Sequence, residues 1–124
     1  MSVVGLGTDI VEIERIGEGD ALTRLAKRVL TEKELSVFNA HTMPARYFAK
    51  RFAAKEAAVK ALGTGIGRGI SWQHIEISND EFGKPEIHFF LGALDKANEL
   101  GAKNAAISIA DEQHYAVATV ILSR

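Results

Sequence analysis

Cysteine is absent from this chain of 124 residues. That gap removes disulfides, thiol nucleophiles and thiolate metal sites, and it fits a reducing compartment. Long apolar runs are missing as well: no stretch approaches the ~20 residues that a membrane-crossing helix needs. The opening residues, Met1-Ser2-Val3-Val4-Gly5-Leu6-Gly7, have no basic region and soon reach Asp9, Glu12 and Glu14, which is unlike a secretory signal. A cytoplasmic protein without membrane attachment is the expectation. The formal net charge is only -1, so capture of nucleic acid by the field of the whole molecule is not expected. The four histidines, His41, His74, His88 and His114, lack ligand spacing, so no zinc site is assigned.

What remains is an ordinary soluble composition, 47% hydrophobic and 25% charged, which places residues 1–124 in a single domain with one core. Val3 to Ile13 is rich in β-branched residues and reads as a strand, with Gly5 and Gly7 allowing another backbone to come close. Ala21 to Leu30 has helical spacing. Thr31 with Glu34 three residues later forms a capping-box signature that opens a second short helix. A long helix follows Pro44 and runs to about Leu62, where Gly63 ends it. Ile75 to Ser78 and Glu86 to Phe90 alternate like strands, joined by the turn residues Asn79 to Pro85. Ala93 to Leu100 is a short helix capped by Gly101, and Ala105 to Ala110 with Tyr115 to Leu122 makes a last antiparallel pair. The pattern predicts an α+β fold, a small antiparallel sheet packed against a long central helix with shorter helices around it.

The long helix carries an anomaly. Phe48, Phe52, Val59 and Leu62 return to one face and form its large apolar stripe. Lys55 projects into the middle of that stripe and Glu56 lies at its edge. Charges inside an apolar outline are costly unless they are paired or bind something. Most other positions are alanine, which suits close packing on several sides.

Four features bear on chemistry. Asp9 shares a strand face with Gly7, Val11 and Ile13; taken alone, it is more ordinarily a residue that ends a strand or caps a turn. Glu56 and Lys60 form an i, i+4 pair, usually surface decoration worth a few tenths of a kcal/mol. The run Gly63-Thr64-Gly65-Ile66-Gly67-Arg68-Gly69 can converge backbone N–H groups on an anion or simply be a flexible loop, and it matches no Walker or dinucleotide fingerprint. Gly83-Lys84-Pro85 is most simply a hairpin turn. Between Arg15 and Arg51 there are eight Lys/Arg against four Asp/Glu, a basic stretch that reads as a solvated face or as a patch for an acidic partner. Two carboxylates, Asp9 and Glu56, are few for calcium and suitable for magnesium, which keeps waters and completes its shell with phosphate oxygens. Together the residues point to metal-dependent phosphate handling.

Gly7-Thr8-Asp9-Ile10-Val11-Glu12-Ile13-Glu14-Arg15 and Arg51-Phe52-Ala53-Ala54-Lys55-Glu56-Ala57-Ala58-Val59-Lys60-Ala61 have the order, separation and content of two motifs, G-x-D-x-x-x-x-x-R and R-F-A-x-K-E-x-x-x-K-A. Their chain resembles the holo-acyl-carrier-protein synthases, the small bacterial phosphopantetheinyl transferases, and the resemblance spans nearly its whole length. It implies transfer of the phosphopantetheine arm of coenzyme A to a serine of apo-acyl carrier protein, with release of adenosine 3',5'-bisphosphate, in support of fatty acid biosynthesis. On the same resemblance, Asp9 and Glu56 hold magnesium and Lys60 takes the leaving phosphate. Glu56, directly or through a metal-bound water, is the candidate base. Arg51, Lys55, Gly63, Gly65, Gly67, Lys84 and Pro85 are placed at the coenzyme A site, with a structural ion pair as the alternative for Lys55. Arg15, Arg24 and Arg28 would meet the acidic helix of the carrier protein, and a homotrimer with active sites between subunits is implied.

One departure stands out. Ser108-Ile109-Ala110-Asp111 places an acid where many members of that family have a histidine contacting the coenzyme's adenosine phosphate. A carboxylate there repels phosphate, which puts that contact in doubt. Two other readings compete with the transferase. A non-catalytic coenzyme A or carrier-protein binding module has no need of Asp9, Glu56 and Lys60. A metal-dependent phosphohydrolase needs a group to position attacking water, and none is evident.

Overall fold

The computed structural model describes residues 2–124. Strand β1 (Val3–Glu12) passes through a 3-10 turn (Ile13–Ile16) into α1 (Gly19–Val29), α2 (Glu32–Ala40) and the 19-residue α3 (Pro44–Leu62). A second 3-10 turn (Trp72–His74) leads into β2 (Ile75–Asn79) and β3 (Pro85–Phe89), then α4 (Leu91–Glu99), β4 (Asn104–Asp111) and β5 (Tyr115–Ser123). One antiparallel sheet has the order β1-β5-β4, and β2 and β3 form a separate hairpin. The α+β architecture expected from the sequence is therefore the one observed. Boundaries differ by one or two residues: the first strand stops at Glu12, and α4 begins at Leu91, whose φ of 49° forces a sharp turn out of β3.

Helix α3 starts at Pro44, where a missing N–H costs nothing, and ends on the left-handed Gly63 with φ 80°. Its alanines 49, 53, 54, 57 and 58 are all fully buried. Small side chains here let other elements approach on every side. The approach of β1 is the closest. A Cβ at Gly7 would collide with the carbonyl oxygen of Ala57, and one at Gly5 with that of Ala61. Glycine at these two positions is what lets the strand lie directly on the helix.

On the opposite side of α3, Lys55 is fully buried. Its ammonium is 2.6 Å from Glu34 Oε1 and donates to the carbonyls of Val29 at 2.8 Å and Trp72 at 3.1 Å. Glu34 also accepts from the backbone N–H of Thr31 through Oε1 at 2.9 Å and of Ile77 through Oε2 at 2.7 Å. The capping box anticipated at Thr31 is present, and its glutamate does double duty as the partner of Lys55. Burial pulls the Lys55 ammonium below its ordinary pKa range, and the charge of Glu34 opposes that shift. Lys55→Met leaves Glu34 as an uncompensated buried carboxylate, and urea unfolding should show a loss of about 3–5 kcal/mol. A variant as stable as the parent, but weaker for coenzyme A, would return Lys55 to the ligand site.

Candidate active site

Because Lys55 and Glu56 are neighbours on a helix, their side chains leave α3 about 100° apart. Lys55 enters the core and Glu56 enters an open cleft of about 610 Å³, lined by Asp9, Ile10, Val11, Glu12, Arg15, Ile16, Phe52, Glu56 and Tyr115. That volume lies within the usual range for small-molecule sites. Strand β1 supplies Asp9 and helix α3 supplies Glu56, and the close Gly7–Ala57 approach sets the two elements side by side.

Lys60 does not pair with Glu56, as its i, i+4 spacing suggested. Its ammonium instead lies 2.9 Å from Asp9 Oδ1 and donates to the carbonyl of Thr8 at 3.0 Å. The reason is register: Lys60 lies over the β1 backbone beside Gly7, within reach of the Thr8–Asp9 segment. Glu56 finds a different partner, the indole N–H of Trp72, which donates to Oε1 at 3.2 Å. Each carboxylate thus has one oxygen engaged and a second outside those contacts.

Apart from Arg15, the remaining candidate residues do not gather in this cleft. Arg51 is buried on another face of α3, stacked over the Tyr47 ring at 4.7 Å and donating to Asn79 Oδ1 at 2.7 Å. It lines a second cleft with Lys33, Arg46, Lys50, Gly83 and Pro85, and its Nε has no hydrogen-bond partner among the described residues. Lys84 is exposed in the β2–β3 turn, where its N–H donates to Asp80. Gly63 lines a third recess with Thr64, Arg68 and Gly69, while Gly65 and Gly67 have left-handed φ values of 73° and 111°. Lys55, expected at the coenzyme A site, is withdrawn from it: an ammonium with all three protons donated in the core has nothing to offer a ligand. Arg15 is exposed beside the first cleft and pairs with Glu12 at 3.4 Å, and Arg24 and Arg28 are exposed one turn apart on α1.

Asp111 also differs from expectation. Its carboxylate accepts from Arg46 at 2.9 Å and faces Lys50 at 3.5 Å. The Arg46 hydrogen bond, helped by Lys50, holds its pKa below the ordinary carboxylate range. The acid is thus neutralised by two cations on α3, and the free repulsive charge anticipated from the sequence is not there.

A model of the 4'-phosphopantetheinyl transferase superfamily matches residues 5–120. The chain belongs to that superfamily. It is an enzyme of the phosphopantetheinyl transferase class. It is 64% identical over 124 residues to the holo-[acyl-carrier-protein] synthase of Shewanella baltica strain OS185, covering 98% of each chain. Among solved structures it resembles the synthase of Neisseria meningitidis, with TM-score 0.86, 40% identity and coverage of 99% of this chain and 100% of that one. The Bacillus anthracis synthase in complex with CoA (3',5'-ADP) matches with TM-score 0.80 and 37% identity over 97% of this chain and 96% of that one.

Two participants escaped sequence reasoning. Trp72 lies sixteen residues beyond Glu56 and outside both motifs, and only a single N–H marks it. Glu34 was visible as a helix cap but not as the counter-ion of Lys55. Near the cleft, Glu14 Oε1 lies 2.6 Å from His114 Nδ1, and this bond raises the histidine's pKa above 6.5 while lowering that of Glu14. A raised histidine stabilises the fold fully below its unfolded value, and that contribution fades as pH climbs through the folded one. NMR titration should therefore give His114 a midpoint above 6.5 that falls back in Glu14→Gln; an unchanged midpoint in that variant would remove the pair.

Proposed function

We propose that this enzyme transfers the phosphopantetheine arm of coenzyme A to a serine hydroxyl of apo-acyl carrier protein, with magnesium required, in the cytoplasmic supply of carriers for fatty acid synthesis. The observation that carries the reading is that Asp9 and Glu56 line one cleft, with Lys60 paired to Asp9. Among the described residues no group of three or more His, Cys, Asp or Glu is placed to hold a metal. Two hard carboxylates, each with an oxygen to spare, instead suit an ion that keeps waters and takes phosphate oxygens as its other ligands. Asp9 and Glu56 would hold it. When bound, magnesium supplies charge stabilisation for the pyrophosphate at which substitution occurs.

The serine oxygen forms a bond to the phosphorus that bears the pantetheine arm. The bond from that phosphorus to the bridging oxygen breaks, and adenosine 3',5'-bisphosphate leaves with the electron pair. Glu56, directly or through a water, is the group that would receive the hydroxyl proton. Lys60, paired with Asp9 and with its side chain 54% exposed, is placed to neutralise the leaving phosphate. The presence of 3',5'-ADP in the Bacillus anthracis complex supports that leaving group. Arg15, Arg24 and Arg28 present positive charge to an acidic carrier helix, a contribution that acts mainly on association rate and weakens with salt.

Arg51 and Pro85 line a different cleft from Asp9 and Glu56, so one coenzyme A reaches both sets of residues most simply across two subunits. The outer sheet face supports self-association: Leu6, Ile10 and Ile121 are exposed, and Thr8, Thr119, Ser108 and Val117 share their rows without a charged side chain. A homotrimer with active sites shared between neighbouring subunits is the assembly proposed here.

Incubation with coenzyme A, magnesium and apo-acyl carrier protein should raise the carrier's intact mass by one phosphopantetheine. Asp9→Ala and Glu56→Ala should abolish the gain and Lys60→Ala should slow it by about 10²–10³-fold. An unmodified carrier with the parent enzyme would sink the assignment. Sedimentation should give a trimer that Ile121→Asp dissociates, and a fully active monomer would overturn the shared-site reading.

A further inference from the structure

Trp72 is the only tryptophan of the chain. It sits at the start of the 3-10 turn that leads into β2, and both of its ends are held. Its carbonyl accepts from the buried ammonium of Lys55 at 3.1 Å. Its ring packs against Phe52, with centroids 6.2 Å apart, and Phe52 is in turn stacked on Phe48 at 5.7 Å. Between those two anchors the indole N–H points at Glu56 Oε1. Lys55 and Glu56 are sequence neighbours on different faces of α3, so the path from one to the other runs through space and not along the helix. It goes from the ammonium to the Trp72 backbone, and from the Trp72 indole to the carboxylate.

Indole N–H is a donor only, fixed on a rigid ring with no acceptor of its own. A glutamate has three rotatable bonds and loses freedom when it binds a ligand. A donor that holds Oε1 in place removes part of that cost beforehand and leaves Oε2 as the oxygen free for a cation. Partners of this kind orient ligating carboxylates, and losing them commonly weakens metal binding about 10–100-fold.

We propose that Trp72 is a positioning residue that holds Glu56 for monodentate magnesium binding, and that the buried Lys55–Glu34 pair acts on the site by holding Trp72. This rests on the magnesium reading of Asp9 and Glu56 given above. The proposal also accounts for a buried lysine next to Glu56 without placing it in contact with substrate: it fixes the backbone from which the indole reaches out.

Trp72→Phe keeps a ring against Phe52 and removes only the donor. The magnesium concentration for half-maximal transfer should rise about tenfold, the usual effect of losing a hydrogen bond to a charged group. With magnesium saturating, KM for coenzyme A and for the carrier protein should stay within about twofold. A second readout is independent of turnover. The chain gives a single indole ¹H–¹⁵N resonance, and with coenzyme A bound and no carrier present it should move as magnesium is added. In Glu56→Gln, which keeps an acceptor for the indole but lacks the charge, it should stay put. A Trp72→Phe enzyme with the parent's magnesium dependence would overturn the proposal, even if it melted earlier. So would an indole resonance that ignores magnesium across the range that activates the enzyme. Transfer that needs no divalent cation at all would instead overturn the magnesium reading itself, a result distinguishable from the other two.

Discussion

The buried pair of Lys55 and Glu34 is the constraint on which the arrangement rests. Moving two charges out of water is expensive, and such a pair is tolerated only when its remaining hydrogen-bonding capacity is also met. Here that condition holds in full. The three protons of the ammonium go to Glu34, Val29 and Trp72, and both carboxylate oxygens accept, from Lys55, Thr31 and Ile77. Three regions of the chain are joined at one point: the α1–α2 junction, the middle of α3, and the Trp72 turn with the β2 strand that follows it. An apolar pair of similar volume would fill the same space without specifying which carbonyl and which amide must meet there.

Around that point, helix α3 separates structural from chemical work by angle. Its alanine surface receives β1 so closely that Gly5 and Gly7 admit no side chain. That contact carries Asp9 to within salt-bridge distance of Lys60, while the next face exposes Glu56 to the same cleft. The site is therefore a product of packing: two carboxylates and an ammonium meet because a strand without side chains lies on a helix of alanines. A methyl group at Gly7 would push β1 away, displacing Asp9 without touching any group that reacts.

Electrostatic compensation operates at the rim as well. Asp111 stands where a phosphate-binding histidine was anticipated, yet Arg46 and Lys50 surround it. Sequence alone shows the acid; it does not show two cations arriving from another element, Arg46 from 65 residues away in the chain and Lys50 beside it. The sign of the local field depends on that arrival, not on the residue at the position.

The elements were legible because their signals are local. Pro44 and Gly63 bracket α3, Thr31 with Glu34 marks the start of α2, and alternation marks the strands, each through forces acting over a few residues. Glu56 was legible as a candidate because a charge at the edge of an apolar outline demands an explanation, and Asp9 and Lys60 because two motifs carry the family resemblance. Their pairing was not legible. The helical spacing of Glu56 and Lys60 suggested one ion pair, and the tertiary structure made two other contacts, Lys60 with Asp9 and Glu56 with Trp72. Lys55 points into the core as its place in the apolar stripe indicated, but its partner, Glu34, was not legible. Local sequence determines which backbone states a segment prefers and which faces are apolar, but a charge's partner is settled by whatever the fold brings within about 4 Å, where Coulomb and hydrogen-bond energies become decisive.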